Sequence, residues 1–208
     1  MAMSSDEPLR KLMRAIVAGD EAAVKKMLAA SPELAATACS SGATRQSAKP
    51  YFEEAVGRYI VAGDTALHIA AAAYLETIVR LLIRGGAHVD AKNRLGAMPL
   101  HAAAAGSPGS QHWNPRAQAA TIKTLVQAGA DPNGTDKRGV APLHIAVRTR
   151  CAAAARTLLE CGADAERRNK SGSTSITLAR LTTGRGGSGS VEAKEQQREI
   201  LEVLAKYA

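Results

Sequence analysis

His68, His101 and His144 are the residues of this 208-residue chain whose type and regular spacing first suggest chemistry. Three imidazoles would suit a zinc centre, and one beside a serine or cysteine would serve as a general base. Each, however, stands in the same local frame. Gly63-Asp64-Thr65-Ala66-Leu67-His68-Ile69-Ala70 recurs as Gly96-Ala97-Met98-Pro99-Leu100-His101-Ala102-Ala103 and again as Gly139-Val140-Ala141-Pro142-Leu143-His144-Ile145-Ala146. A fourth, weaker copy runs from Gly172 to Ala179 and has Thr177 in place of the histidine, an exchange that a shared catalytic cluster would not tolerate. The three histidines are therefore read as structural. His88 and His112 lie outside any Asp, Glu or Cys pattern with ligand spacing, and Cys39, Cys151 and Cys161 form no C-x-x-C pair, so no metal site is expected.

Other motifs are equally thin. Gly184-Arg185-Gly186-Gly187-Ser188-Gly189 matches G-x-G-x-x-G, but a dinucleotide loop must follow a strand and open a helix. Here a helical pattern precedes it and the composition is that of a flexible linker. There is no H-E-x-x-H, no G-x-S-x-G and no nucleophile beside a plausible base. The chain is read as a protein that is not an enzyme and takes no cofactor.

What the frame positions is a repeat. Leu67, Leu100, Leu143 and Ile176 are separated by steps of 33, 43 and 33 residues. Gly86, Gly129 and Gly162, each followed by alanine, stand 18, 28 and 18 residues after the three histidines, so the ten extra residues lie inside the middle unit. Between the two markers, Val79/Leu82/Ile83, Ile122/Leu125/Val126 and Ala155/Leu158/Leu159 place apolar residues at helical spacing. Each unit reads as a turn opened by glycine, a short helix with proline at its first position where present, a second helix, and a terminating glycine.

A period of 33 residues with a T-P-L-H-x-A signature and a following G-A-D resembles the ankyrin repeat. The resemblance implies an all-α solenoid of about five helix pairs with β-turn fingers, here of the bacterial type with loop insertions. It is strong over residues 60–180 and moderate elsewhere. On it, 1–37 is an N-terminal cap pair, 38–62 an insertion, 63–92, 93–135 and 136–168 are repeats, and 169–208 is a C-terminal capping repeat, all within a single domain. Glu195 to Tyr207 is expected to supply the last helix.

Composition agrees with close helix packing, at 46% apolar residues but only 3% aromatic. Charge is uneven: ten basic residues face five acidic ones in 131–185, and six face two in 65–130, within a net charge of +8. That favours an acidic partner surface or a polyanion. With an odd number of cysteines, no leader-like apolar stretch and no membrane span, the expectation is a cytoplasmic monomer holding reduced thiols.

Three insertions interrupt the repeat. Residues 38–62 contain Tyr51, Phe52 and Tyr59; Gly106 to Pro115 contains His112 and Trp113; Thr183 to Ser190 is Gly, Ser, Arg and Thr only. Four of the six aromatic residues lie in the first two, as docking anchors or as small local cores. Trp113 is the better anchor, because its own loop offers little to bury it. The resemblance further implies that a partner meets the turn tips and the exposed ends of the first helices. Those positions are Arg94, Leu95 and Ala97, then Lys137, Arg138, Val140, Arg148 and Thr149, then Lys170, Ser171 and Ser173, with Arg150 adding a cation where the pattern prefers glycine. The function expected is binding of another protein, through an acidic segment, in a basic groove. Nucleic acid or another polyanion is the weaker alternative, since no aromatics interleave with the cations.

Overall fold

The computed structural model describes residues 6–110, 113–181 and 191–207. Among these residues five helix pairs follow one another. They are α1 (Glu7–Val17) with α2 (Glu21–Ala30), α3 (Ala66–Ala72) with α4 (Glu76–Arg84), α5 (Pro99–Ala104) with α6 (Pro115–Gln127), α7 (Pro142–Arg148) with α8 (Ala152–Glu160), and α9 (Ser175–Arg180) with α10 (Val191–Leu204). First helices stack on first helices, α1 on α3 on α5 on α7 on α9. Second helices do the same from α2 to α10. The all-α solenoid is therefore the architecture found, and the last helix starts four residues earlier than the sequence pattern indicated.

First helices of six or seven residues are too short to persist alone in water, so the stack must hold them. Leu67, Leu100 and Leu143 occupy equivalent sites, fully or almost fully buried. Between them Ala70, Ala71, Ala103, Ala104 and Ala146 are buried as well, and their small side chains let neighbouring helices approach closely. The second helices end alike. In α4 the Gly86 N–H donates to Ile83 O at 3.0 Å and the Ala87 N–H to Leu82 O at 2.9 Å; Gly129–Ala130 and Gly162–Ala163 close α6 and α8 in the same way. This explains the Gly-Ala pair of the sequence: glycine takes the left-handed turn, and the buried alanine after it seals the helix end on the core.

Arg150 turns the chain between α7 and α8 with φ of 58°, a conformation costly for a side chain with a Cβ. Gly19 makes the same turn between α1 and α2 with φ of 68°. Arg150→Gly is accordingly expected to stabilise the protein by about 1 kcal/mol and to raise Tm by roughly 2–4 °C in a thermal melt; an unchanged or lower Tm would contradict the strain.

The insertion at 38–62 brings the one sheet seen among the described residues, a hairpin of β1 (Phe52–Glu53) and β2 (Arg58–Tyr59). Phe52 pairs with Tyr59 and Glu53 with Arg58. The insertion is tied down at its base, where the Cys39 N–H donates to Asp64 O, the Gly63 N–H to Cys39 O and the Ala43 N–H to Ile60 O, each at 2.8 Å. Asp6, at the start of α1, accepts from the Ser40 and Ser41 N–H groups. Burial alone would raise the Asp6 pKa, but these hydrogen bonds outweigh it and hold the carboxyl below its ordinary value.

Candidate partner-binding face

Three turn fingers project from the stack, and each is built on one side chain. Asn93 Oδ1 accepts from the N–H groups of Leu95 and Ala97, Asp136 Oδ1 from those of Arg138 and Val140, and Asn169 Oδ1 from those of Ser171 and Ser173. Adjacent fingers are joined through backbone. The Arg94 N–H donates to Ala62 O at 2.8 Å, the Lys137 N–H to Leu95 O at 3.0 Å and the Lys170 N–H to Arg138 O at 3.0 Å. Such contact leaves no room for a Cβ at Gly96 or Gly139, where one would lie 2.8 Å from Lys137 N and 2.9 Å from Lys170 N.

The histidines lock this arrangement. Each Nδ1 accepts the backbone N–H three residues earlier, from Thr65, Met98 and Ala141, at 3.1, 3.2 and 3.0 Å. That fixes the other ring nitrogen as the N–H, and Nε2 donates across to the next finger. The acceptors are Ala97 O at 3.1 Å for His68, Val140 O at 2.9 Å for His101, and Ser173 O and Arg167 O for His144. Both nitrogens of every ring are thus engaged in structure. Burial pushes the pKa of His68 down to about 4, against the pull of nearby Asp64, and lowers those of His101 and His144. Thr177 reproduces half of the device, its hydroxyl accepting from the Thr174 N–H at 2.8 Å. Among the described residues no group of three His, Cys, Asp or Glu side chains is placed to hold a metal.

Beside the fingers lies a cleft of about 1010 Å³. Its floor is the side of α3 and α5 that carries the half-buried Ala72 and Ala102; one wall is the hairpin insertion, and the other is the second insertion with Gly106, Ser107 and Trp113. The candidate residues divide accordingly. Arg94, Leu95 and Trp113 line this cleft, together with Tyr59, one of the insertion aromatics, and Arg45, which sequence reasoning had not selected as a binding residue. Lys137, Arg138 and Lys170 are exposed on the fingers next to it. Arg148 and Arg150 flank a separate small recess with Leu178 and Leu181. Tyr51 and Phe52 line neither. Tyr51 is half-buried beneath the guanidinium of Arg10, 4.6 Å from its ring centre, and Phe52 is 45% exposed and packs on Tyr59 at 4.9 Å between ring centroids.

Two candidates are partly engaged within the chain. Arg94 Nη2 donates to Ala43 O at 2.6 Å and so pins the first insertion. Trp113 is half-buried against the core, with Nε1 donating to Gln118 Oε1 at 3.0 Å. Gln118 Nε2 in turn donates to Ala103 O and Ala105 O, and Tyr74 donates its hydroxyl to the same Ala105 carbonyl. Trp113 therefore presents an edge to the cleft and is held from behind. The remaining charge is free of such ties: Lys137, Arg148 and Lys170 form no ion pair with any described residue, and Arg138 only a 3.5 Å contact to Asp136. The third insertion, its G-x-G-x-x-G match and His112 lie outside the described residues.

Stacked helix pairs, Asx-built fingers and the histidine ladder define a class, the ankyrin-repeat solenoid. A family model described as "Ankyrin repeat" matches residues 62–94, and one described as "Ankyrin repeats (many copies)" matches 125–179. The chain carries ankyrin repeats over these residues. It is 39% identical over 93 residues to mouse "Ankyrin repeat and SOCS box protein 16", covering 44% of this chain and 20% of that protein. It is 35% identical over 85 residues to "Ankyrin repeat and KH domain-containing protein mask-1" of Caenorhabditis elegans, covering 41% of this chain and 3% of that protein. The chain thus spans a fifth or less of these relatives, and since both are animal proteins the bacterial type expected from sequence finds no support in them.

Proposed function

We propose that this chain is a protein-interaction module whose finger row receives an acidic segment of a partner, acting as a monomer in a reducing cytoplasm and without catalysis. The observation that carries the reading is the row itself. Backbone hydrogen bonds set Arg94, Lys137 and Lys170 on successive fingers, and the ammonium groups of Lys137 and Lys170 face solvent without an intramolecular counter-ion among the described residues. A rigid row of cations favours carboxylates spaced along one chain, and the ordering cost of the fingers is already met in the fold. The ankyrin repeats, and the ankyrin-repeat proteins that the chain resembles, support binding of protein.

Charge reversal tests it. Arg138→Glu and Arg148→Glu are each expected to weaken retention of partner protein in a pull-down roughly tenfold, about 1.4 kcal/mol, with Tm changed by no more than a degree or two because both side chains are exposed. Undiminished retention by both variants would remove the cationic row from the binding face. Retention on heparin or DNA that vanishes by about 150 mM salt would mark polyanion binding as non-specific.

A further inference from the structure

The cleft beside the fingers is not a product of the repeat. Its floor comes from α3 and α5, but both walls are insertions, and one insertion is held in place by Arg94 and the other by the Trp113–Gln118 contact. The surface so enclosed is largely apolar: the methyls of Ala72 and Ala102, the side chain of Leu95, 47% exposed at the mouth, and the ring of Trp113. Three arginines, Arg45, Arg58 and Arg94, and one acid, Glu54, are among its lining residues; Arg58 is paired with Asp64, and the Leu95 carbonyl is the acceptor to which the next finger, carrying Lys137 and Arg138, is hydrogen-bonded. An apolar cleft and a cationic row are thus contiguous, and joined at Leu95.

From this juxtaposition we infer that the partner segment is bipartite: one large apolar side chain seated in the cleft between the two insertions, and carboxylates on the fingers beyond it. The inference rests on the finger row being the partner-binding face and adds to it the second element of recognition and its spacing. Neighbouring helices pack about 8–10 Å apart, and extended chain advances roughly 3.3 Å per residue, so about three residues of ligand separate one finger from the next. An anchor at the level of Leu95 therefore places carboxylates about three and six residues away, against Lys137/Arg138 and then Lys170. An acidic segment with an apolar anchor fits where a nucleic acid does not. A phosphodiester backbone would lay charge across the alanine floor, and an isolated charge buried there without a partner is strongly disfavoured.

The probe is a fluorescein-labelled thirteen-residue peptide on a serine background, with phenylalanine at its centre and aspartates three and six residues to either side, so that either chain direction is accommodated. Fluorescence anisotropy with the full chain is expected to show it binding at least tenfold more tightly than the same peptide with serine at the centre, since burying a phenylalanine contributes about 1.5–3 kcal/mol. Ala102→Leu, which fills the floor, and Leu95→Ala, which alters only the exposed mouth, are both expected to erase most of that ratio. Lys170→Glu is expected to weaken both peptides alike. If both peptides bind the native chain equally, or if neither variant changes their ratio, the bipartite inference is overturned while the finger row stands. Preference for a twelve-residue oligothymidylate over every peptide, or aspartates replaced by serine without loss, overturns the finger row and the inference with it. A concentration-dependent dimer abolished by Ala102→Leu would put a second copy of this chain in the cleft, which also overturns the proposal.

Discussion

Replacing Arg58 by alanine is expected to cost about 3 kcal/mol of folding stability and to lower Tm by roughly 6–12 °C, although Arg58 belongs to an insertion that the repeat does not require. The reason is its partner. Asp64 has a fully buried side chain, and its Oδ2 accepts from Arg58 Nη2 at 3.0 Å and from the Val61 N–H at 2.9 Å, while Oδ1 accepts from Asn93 Nδ2 at 2.9 Å. Removing the guanidinium leaves an interior carboxylate with amide donors but no counter-charge, the arrangement in which buried ion pairs are most costly to break. The figure is set at the low end of the usual range because the Arg58 side chain keeps 22% exposure. The corresponding positions in the later repeats are Ala97, Val140 and Ser173, so the fold tolerates a neutral residue there. Arg58→Ala combined with Asp64→Ala is therefore expected to be more stable than Arg58→Ala alone. Urea unfolding of the two single variants, the double variant and the native protein completes the cycle. A double variant no better than the single one would show that the hairpin is held by something other than this pair.

That ion pair also marks the limit of what the sequence disclosed. The repeat was legible because each of its markers answers a local demand. Gly96 and Gly139 stand where another finger's backbone approaches, Gly86 where the chain must turn left-handed, and His101 where one side chain must reach both its own helix start and the next finger. Demands of that kind recur at a fixed period and can be counted. The insertions carry no period, and what secures them comes from distant positions. Trp113 looked unburied from its own loop, yet Gln118 on the following helix and the core behind α5 take it up. Arg94 looked like a free cation on a turn tip, but an insertion 51 residues earlier offers it the carbonyl of Ala43. The aromatic cluster of the first insertion turned out divided: Tyr51 is held beneath Arg10, Phe52 and Tyr59 stack on the surface, and only Tyr59 reaches the cleft. One signal was present and unread. Asp64 is the single acidic residue at its position in four copies of the frame, and an acid placed inside an apolar repeat requires a cation nearby.

Stability should fall steeply between pH 6.5 and 4, earlier than the carboxylates alone would bring it down. Above pH 6.5 the ladder histidines are neutral both in the folded chain, where Nδ1 must accept a backbone N–H, and in the unfolded chain, whose imidazoles titrate near 6.5. As pH drops below that value the unfolded chain takes up protons first. The folded chain resists, because burial holds the His68 pKa near 4 and depresses those of His101 and His144, the attraction of Asp64 for a proton on His68 notwithstanding. The stabilisation is thus complete above pH 6.5 and is lost as pH falls through the folded values. His68, the most deeply buried of the three, is the most strongly depressed and contributes the largest share. Urea midpoints at pH 7.5, 6.5, 5.5 and 4.5 measure it. The decisive comparison is His68→Thr, which copies the Thr177 arrangement of the fourth repeat. This variant is expected to start from a lower stability at pH 7.5, having lost the bond to Ala97 O, yet to decline less steeply with acid, because one of the groups that the unfolded chain protonates is gone. Equal slopes for the variant and the native chain would mean that His68 takes up its proton as readily folded as unfolded, and that the neutral ladder is not what acid breaks.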